Sequence, residues 1–135
     1  MRNRFPKVTC TGGFFPYLAL LVLVLPLRVL GVLALAAGCH ELCHLLALAC
    51  FGYPVREISL GVFGAKIHTG PLKPIHEAIC ALAGPLGGLC LLAFARWMPL
   101  VALFGLIQSA FNLLPVYPLD GGRALLCLRE GFSQK

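Results

Sequence analysis

Residues 31–50 read Gly31-Val32-Leu33-Ala34-Leu35-Ala36-Ala37-Gly38-Cys39-His40-Glu41-Leu42-Cys43-His44-Leu45-Leu46-Ala47-Leu48-Ala49-Cys50. In this run only His40, Glu41 and His44 carry polar or charged side chains. The run sits inside a longer stretch, Phe14 to Phe51, that is nearly all apolar. As one helix that stretch would measure about 57 Å at roughly 1.5 Å per residue, against a bilayer hydrocarbon core of about 30 Å. It must therefore break, and Pro26, Arg28 and Gly31 supply the break. Two membrane spans are expected, near 14–27 and 30–51.

Composition agrees. Hydrophobic residues make up 59% of the chain and charged residues 12%, about half the charge of an ordinary soluble domain. So few charges cannot cover a polar surface. The formal charge of +6 is scattered: Arg2, Arg4 and Lys7 at the start, Arg56, Lys66 and Lys73 in the middle, Arg123, Arg129 and Lys135 at the end. No basic stripe with interleaved aromatics appears, which excludes nucleic acid as the expected partner. The seven cysteines lie mostly in apolar runs, and their odd number gives no disulfide framework. The apolar stretch continues through the His-Glu run without a small-x-small cleavage site before Leu35, so it reads as retained helices rather than a removed signal.

Further along, Gly52-Tyr53-Pro54 ends the second span. Residues 57–69 are β-branched and glycine-punctuated, and read as a short hairpin turning near Phe63-Gly64. Irregular backbone at membrane depth is tolerated only against protein or a water-filled cavity. A third span is expected near 75–95, carrying the small residues Ala83-Gly84-Pro85 and Gly87-Gly88. A fourth is expected near 99–114, with a short further helix from Arg123 to Arg129. Four spans put both termini on one side, and the distribution of Lys and Arg makes that side cytoplasmic. The fold class expected is therefore all-α and integral to the membrane, with about four spans and a membrane-associated β-hairpin.

His40 and His44 are four residues apart, so on a helix they share a face. Two imidazoles in that geometry can bind one zinc ion. Glu41 flanks the same face and can act as general base on a water. A charged residue in a membrane helix costs about 2.5–3.5 kcal/mol on insertion scales, so this cluster needs a metal or a water-filled cavity. A hydrogen-bonded His/Glu cluster with structural or proton-relay work is the other reading. A catalytic zinc takes three protein ligands and an open position. Among five acidic residues, Asp120 before Gly121-Gly122 is the natural third ligand; an Asp-Gly turn is its plain alternative. Cys39 and Cys43 share the same spacing but face about 100° away from the histidines. His68 and His76 read as interfacial.

These residues resemble the site-2 proteases, a family of intramembrane zinc metalloproteases. The resemblance is carried by His40-Glu41-Leu42-Cys43-His44, by Ala83-Gly84-Pro85, and by Asn112-Leu113-Leu114-Pro115 followed by Leu119-Asp120-Gly121-Gly122-Arg123. It runs from about Phe14 to Arg123. It implies a three-helix catalytic core, His40, His44 and Asp120 as ligands of one Zn2+ per chain, and Glu41 as catalytic base. It implies that Asn112 positions substrate or stabilises the oxyanion, and that the hairpin holds an extended substrate by strand pairing. On this view residues 1–135 form a single intramembrane metalloprotease domain. The compact layout is most similar to the sporulation branch, whose members cleave a membrane-associated sigma-factor precursor. The chain departs from the family where Cys43 replaces the usual Gly, where the hairpin lacks Pro-Phe-Gly-Gly, and where Gly87-Gly88 replaces a common Asn.

The expected function is zinc-dependent hydrolysis of a peptide bond in or near a transmembrane segment of a membrane-embedded protein substrate. The expected setting is the lipid bilayer of a bacterial cytoplasmic membrane, with oligomeric or regulatory partners left open. Two alternatives stand beside it. A catalytically inactive, protease-like membrane binding protein need not keep all of His40, Glu41, His44 and Asp120. A metal carrier or proton-coupled transporter would spread polar residues over several spans, and here they concentrate at one site.

Overall fold

The computed structural model describes residues 6–133 except 63, with side chains as far as 130. Arg2, Arg4, Lys135 and the turn residue Phe63 lie outside the described residues. The elements in chain order are β1 (Lys7–Cys10), α1 (Phe14–Val24), α2 (Leu27–Cys50), β2 (Val55–Gly61), β3 (Gly64–Thr69), α3 (Pro74–Cys90), a 3-10 turn (Leu91–Phe94), α4 (Pro99–Asn112) and α5 (Asp120–Ser133).

The first apolar stretch breaks where its proline demands. Leu25 and Pro26 are extended, and α2 restarts at Leu27. Its 24 residues span about 36 Å. Gly52, at φ 74°, takes the left-handed conformation that stops a helix. By length and apolarity two segments can cross a bilayer, Leu27–Cys50 and Pro74–Phe94. Helices α1 and α4, with 11 and 14 residues, reach only about 17 and 21 Å. Of the four expected spans, two are therefore helices of full crossing length, and the other two fall on the shorter apolar helices α1 and α4.

The chain is also not all-α. The expected hairpin is present as β2 and β3, antiparallel from Glu57↔His68 to Gly61↔Gly64. A third strand, β1, pairs with β2 in parallel, Lys7↔Glu57 through Cys10↔Leu60. Parallel neighbours need a long crossover, and α1 with α2 provides it. Side chains reinforce the pairing: Thr9 Oγ1 donates to Glu57 Oε1 at 2.7 Å and lies 3.0 Å from Ser59 Oγ. The order β1-β2-β3 leaves β3 as an edge strand.

Helix α3 is the hub, packed against α2, α4 and α5. It buries small residues, Ala78, Cys80, Ala81, Gly84, Pro85 and Gly88. Ala78 and Ala81 meet Ala124 and Cys127 of α5. The large apolar side chains point outward: Leu23 is 85% exposed and Leu27 84%. Small inside and large outside is the pattern of helices packed in lipid, where close backbone approach supplies the attraction. Gly88 shows how close. A Cβ there would overlap the Ser109 hydroxyl and sit 3.1 Å from the Gly105 carbonyl. We expect Gly88→Val to destabilise by about 1–3 kcal/mol, the usual effect of overpacking. The midpoint of unfolding in a mixed-detergent titration measures it, and an unmoved midpoint would contradict this α3–α4 contact.

Candidate metal centre

Helix α2 places His40 and His44 one turn apart. Their rings cross at 83° with centroids 4.8 Å apart, and their Nε2 atoms lie 3.2 Å from each other. Asp120 arrives from the first turn of α5. Its Oδ2 lies 3.2 Å from His40 Nε2 and 3.3 Å from His44 Nε2. The three atoms form a nearly equilateral triangle. A tetrahedral zinc with bonds of about 2.0–2.1 Å needs ligand atoms about 3.3–3.4 Å apart, so the triangle matches one face of that tetrahedron. All three residues are largely buried, at 2%, 8% and 9% exposure.

The protonation pattern suits a cation. His44 Nδ1–H donates to the Cys80 carbonyl at 2.7 Å, which leaves the Nε2 lone pair free to face the triangle. A carboxylate and imidazole lone pairs converging in a buried spot are the donor set that zinc takes.

Local backbone makes the approach possible. Gly84 of α3 lies against His44, where any Cβ would overlap Nε2. Gly121 and Gly122 let the first turn of α5 lie on the backbone of Leu113 and Val116, where a Cβ at either would collide. Helix α5 begins at Asp120 itself, not at Arg123 as the sequence led us to expect. An acidic residue in the first turn suits the helix dipole.

Glu41 points from α2 toward the hairpin, its Oε1 3.7 Å from where a Cβ on Gly64 would stand. Glu41, His40, His44, Asp120 and Asn112 all line one cavity of about 840 Å³, together with β3. The structure thus gathers His40, His44 and Asp120 into one cluster, and sets Glu41 and Asn112 on the same cavity wall. His68, read from the sequence as interfacial, also lines this cavity. His76 does not join the cluster; it stacks on Phe51 at 4.3 Å and lies 3.1 Å from Tyr53 Oη. Sequence reasoning missed the Cys80 carbonyl, which no side-chain motif reveals. It also missed Gln108, which lines the cavity one turn before Asn112 and was legible from its i, i+4 spacing alone.

No family model matches the chain. Over 106 residues it is 32% identical to stage IV sporulation protein FB of Bacillus subtilis, an alignment covering 66% of this chain and 36% of that protein. Over 138 residues it is 31% identical to a candidate zinc metalloprotease of Synechocystis, covering 90% of this chain and 34% of that one. The chain spans about a third of the length of these curated relatives. Among solved structures, a site-2 protease from Methanocaldococcus jannaschii superposes with a TM-score of 0.72 at 24% identity, covering 98% of this chain and 70% of that one. At that identity the likeness concerns the fold.

Proposed function

We propose that this chain, which belongs to the site-2 protease family and resembles its sporulation branch, is a zinc-dependent endopeptidase that cuts membrane-embedded substrates. The observation that carries this is the triangle of His40 Nε2, His44 Nε2 and Asp120 Oδ2, with 3.2–3.3 Å edges, beside a carboxylate on the wall of one cavity. His40, His44 and Asp120 would hold one zinc ion.

Bound there, zinc supplies Lewis acidity toward the scissile carbonyl and toward water. The rest falls to the chain. Glu41 takes a proton from the attacking water and delivers it to the departing amine nitrogen. Asn112, at the end of α4, offers its amide N–H to the oxygen on which negative charge develops. The edge strand β3 offers unpaired backbone groups along the cavity, so an extended substrate can add to the sheet. A substrate helix must first unwind, because its carbonyls are engaged in their own hydrogen bonds.

We place the chain in the bacterial cytoplasmic membrane, with α1 and α4 completing four spans within one domain and both termini cytoplasmic. The outward leucines of α1 support this, since that helix buries none of its residues. A membrane-associated precursor, such as that of a sigma factor, is the substrate class to try first.

Reconstituted protein and a membrane-spanning peptide provide the test. Stripping metal with phenanthroline is expected to reduce cleavage at least about 100-fold, and about one zinc per chain is expected to restore it. Undiminished cleavage by protein shown to be metal-free would sink the proposal.

A further inference from the structure

Helix α3 approaches the metal-facing residues from two positions about one turn apart, directly at Cys80 and through Arg123 at Glu77. The Cys80 carbonyl accepts the Nδ1–H of His44 at 2.7 Å. Three residues earlier, Glu77 Oε1 accepts from Arg123 Nη2 at 3.4 Å. The other arm of that guanidinium, Nη1, lies 3.9 Å from Asp120 Oδ1. The two oxygens of Asp120 therefore have separate duties. Oδ2 faces His40 and His44, and Oδ1 faces Arg123.

Resting on the reading of Asp120 as a ligand, we infer that Arg123 is a positioning residue for the metal centre. Glu77 anchors its guanidinium, and the guanidinium sets the rotation of the Asp120 carboxylate. At 3.9 Å the pull on Oδ1 is that of charge rather than of a hydrogen bond, and it favours the rotation about Cβ–Cγ that turns Oδ2 to the histidines. Planar, forked Arg suits this task because its two arms can hold two carboxylates at once. Glu77 has a second effect. It balances the Arg123 charge, which would otherwise repel a dication held by the neighbouring carboxylate. Close packing of Ala78 and Ala81 on Ala124 and Cys127 keeps α3 and α5 in register, so the relay holds its geometry.

A plain clamp between α3 and α5 is the competing role. A clamp affects unfolding and spares the metal affinity of folded molecules. The full chain in detergent micelles, titrated with zinc against a chromophoric chelator, separates the two. Arg123→Gln is expected to weaken zinc 10–100-fold, the usual range for outer-shell partners of a metal site. Arg123→Lys should recover part of that loss, keeping charge but not the fork. Glu77→Gln should also weaken zinc, and should add little in an Arg123→Gln background. Wild-type zinc affinity in folded Arg123→Gln overturns the inference. Should that variant not fold, unchanged affinity in Glu77→Gln overturns it equally. A wild-type chain that binds no zinc instead removes the metal-site reading, and the inference with it.

Discussion

Glu41→Gln is expected to leave zinc bound and to cut turnover by about 10²–10⁴-fold, the range that general acid–base catalysis contributes. Glutamine has nearly the same shape, so it fits the same space against Gly64, where Oε1 now lies 3.7 Å from a hypothetical Cβ. It cannot take a proton from water. It is also outside the triangle of metal-facing atoms, so ligand geometry is untouched. The two readouts, turnover on a membrane peptide and zinc per chain, must therefore separate. If turnover and zinc fell together, Glu41 would be acting on the metal rather than as a base. If neither changed, the base would lie elsewhere, and His68 on β3 would be the next candidate.

Gly84→Ala carries the second large effect. The added methyl would overlap His44 Nε2, the proposed ligand atom. Neither partner can yield cheaply. The His44 ring is tied through Nδ1 to the Cys80 carbonyl on the same helix that bears Gly84. Turning the ring away breaks that bond and misdirects Nε2. Moving α3 away opens its packing on both α2 and α5. We expect zinc affinity to fall at least about 100-fold, beyond the usual loss for an outer-shell change, because a ligand atom itself is displaced. Stability should fall by about 1–3 kcal/mol as well. Gly31→Ala is the matched control: nothing lies within 4 Å of a Cβ there, and zinc binding should be unchanged. Chelator competition on both variants checks the pair. Wild-type affinity in Gly84→Ala would mean that α3 does not press on His44.

What the sequence revealed follows from how local each feature is. His40, Glu41 and His44 lie within five residues of one helix, and helical geometry alone puts the histidines on one face. The hairpin also showed itself through local residue choice. Strand β1 did not. Four residues with a parallel partner about fifty positions away leave no local pattern. The start of α5 was missed for a different reason. Gly121 and Gly122 read as turn-formers, but they are required for their missing Cβ atoms against the backbone of Leu113 and Val116. The expected spans 14–27 and 99–114 ran longer than α1 and α4 because apolarity extends past the ends of these helices into residues that are not helical.

Cys43 shows how two oddities can be one. The chain carries Cys where the resembled pattern has Gly, and Gly87 where Asn is common. In the structure a Cβ on Gly87 would overlap Cys43 Sγ. The thiol of α2 fills space that a side chain on α3 would occupy, so the two departures offset each other. Sequence could only say that Cys43 is small; its partner lay on another helix.

The triangle at the centre has a consequence in time. His40 and Asp120 are 80 residues apart. A nascent chain that has inserted α2 owns two imidazoles and a carboxylate base, yet lacks a closed set of ligands. On the proposed reading, competence to cut waits until α5 has been made and has docked on α3. The stretch of synthesis between α2 and α5 then passes without a complete set of ligands.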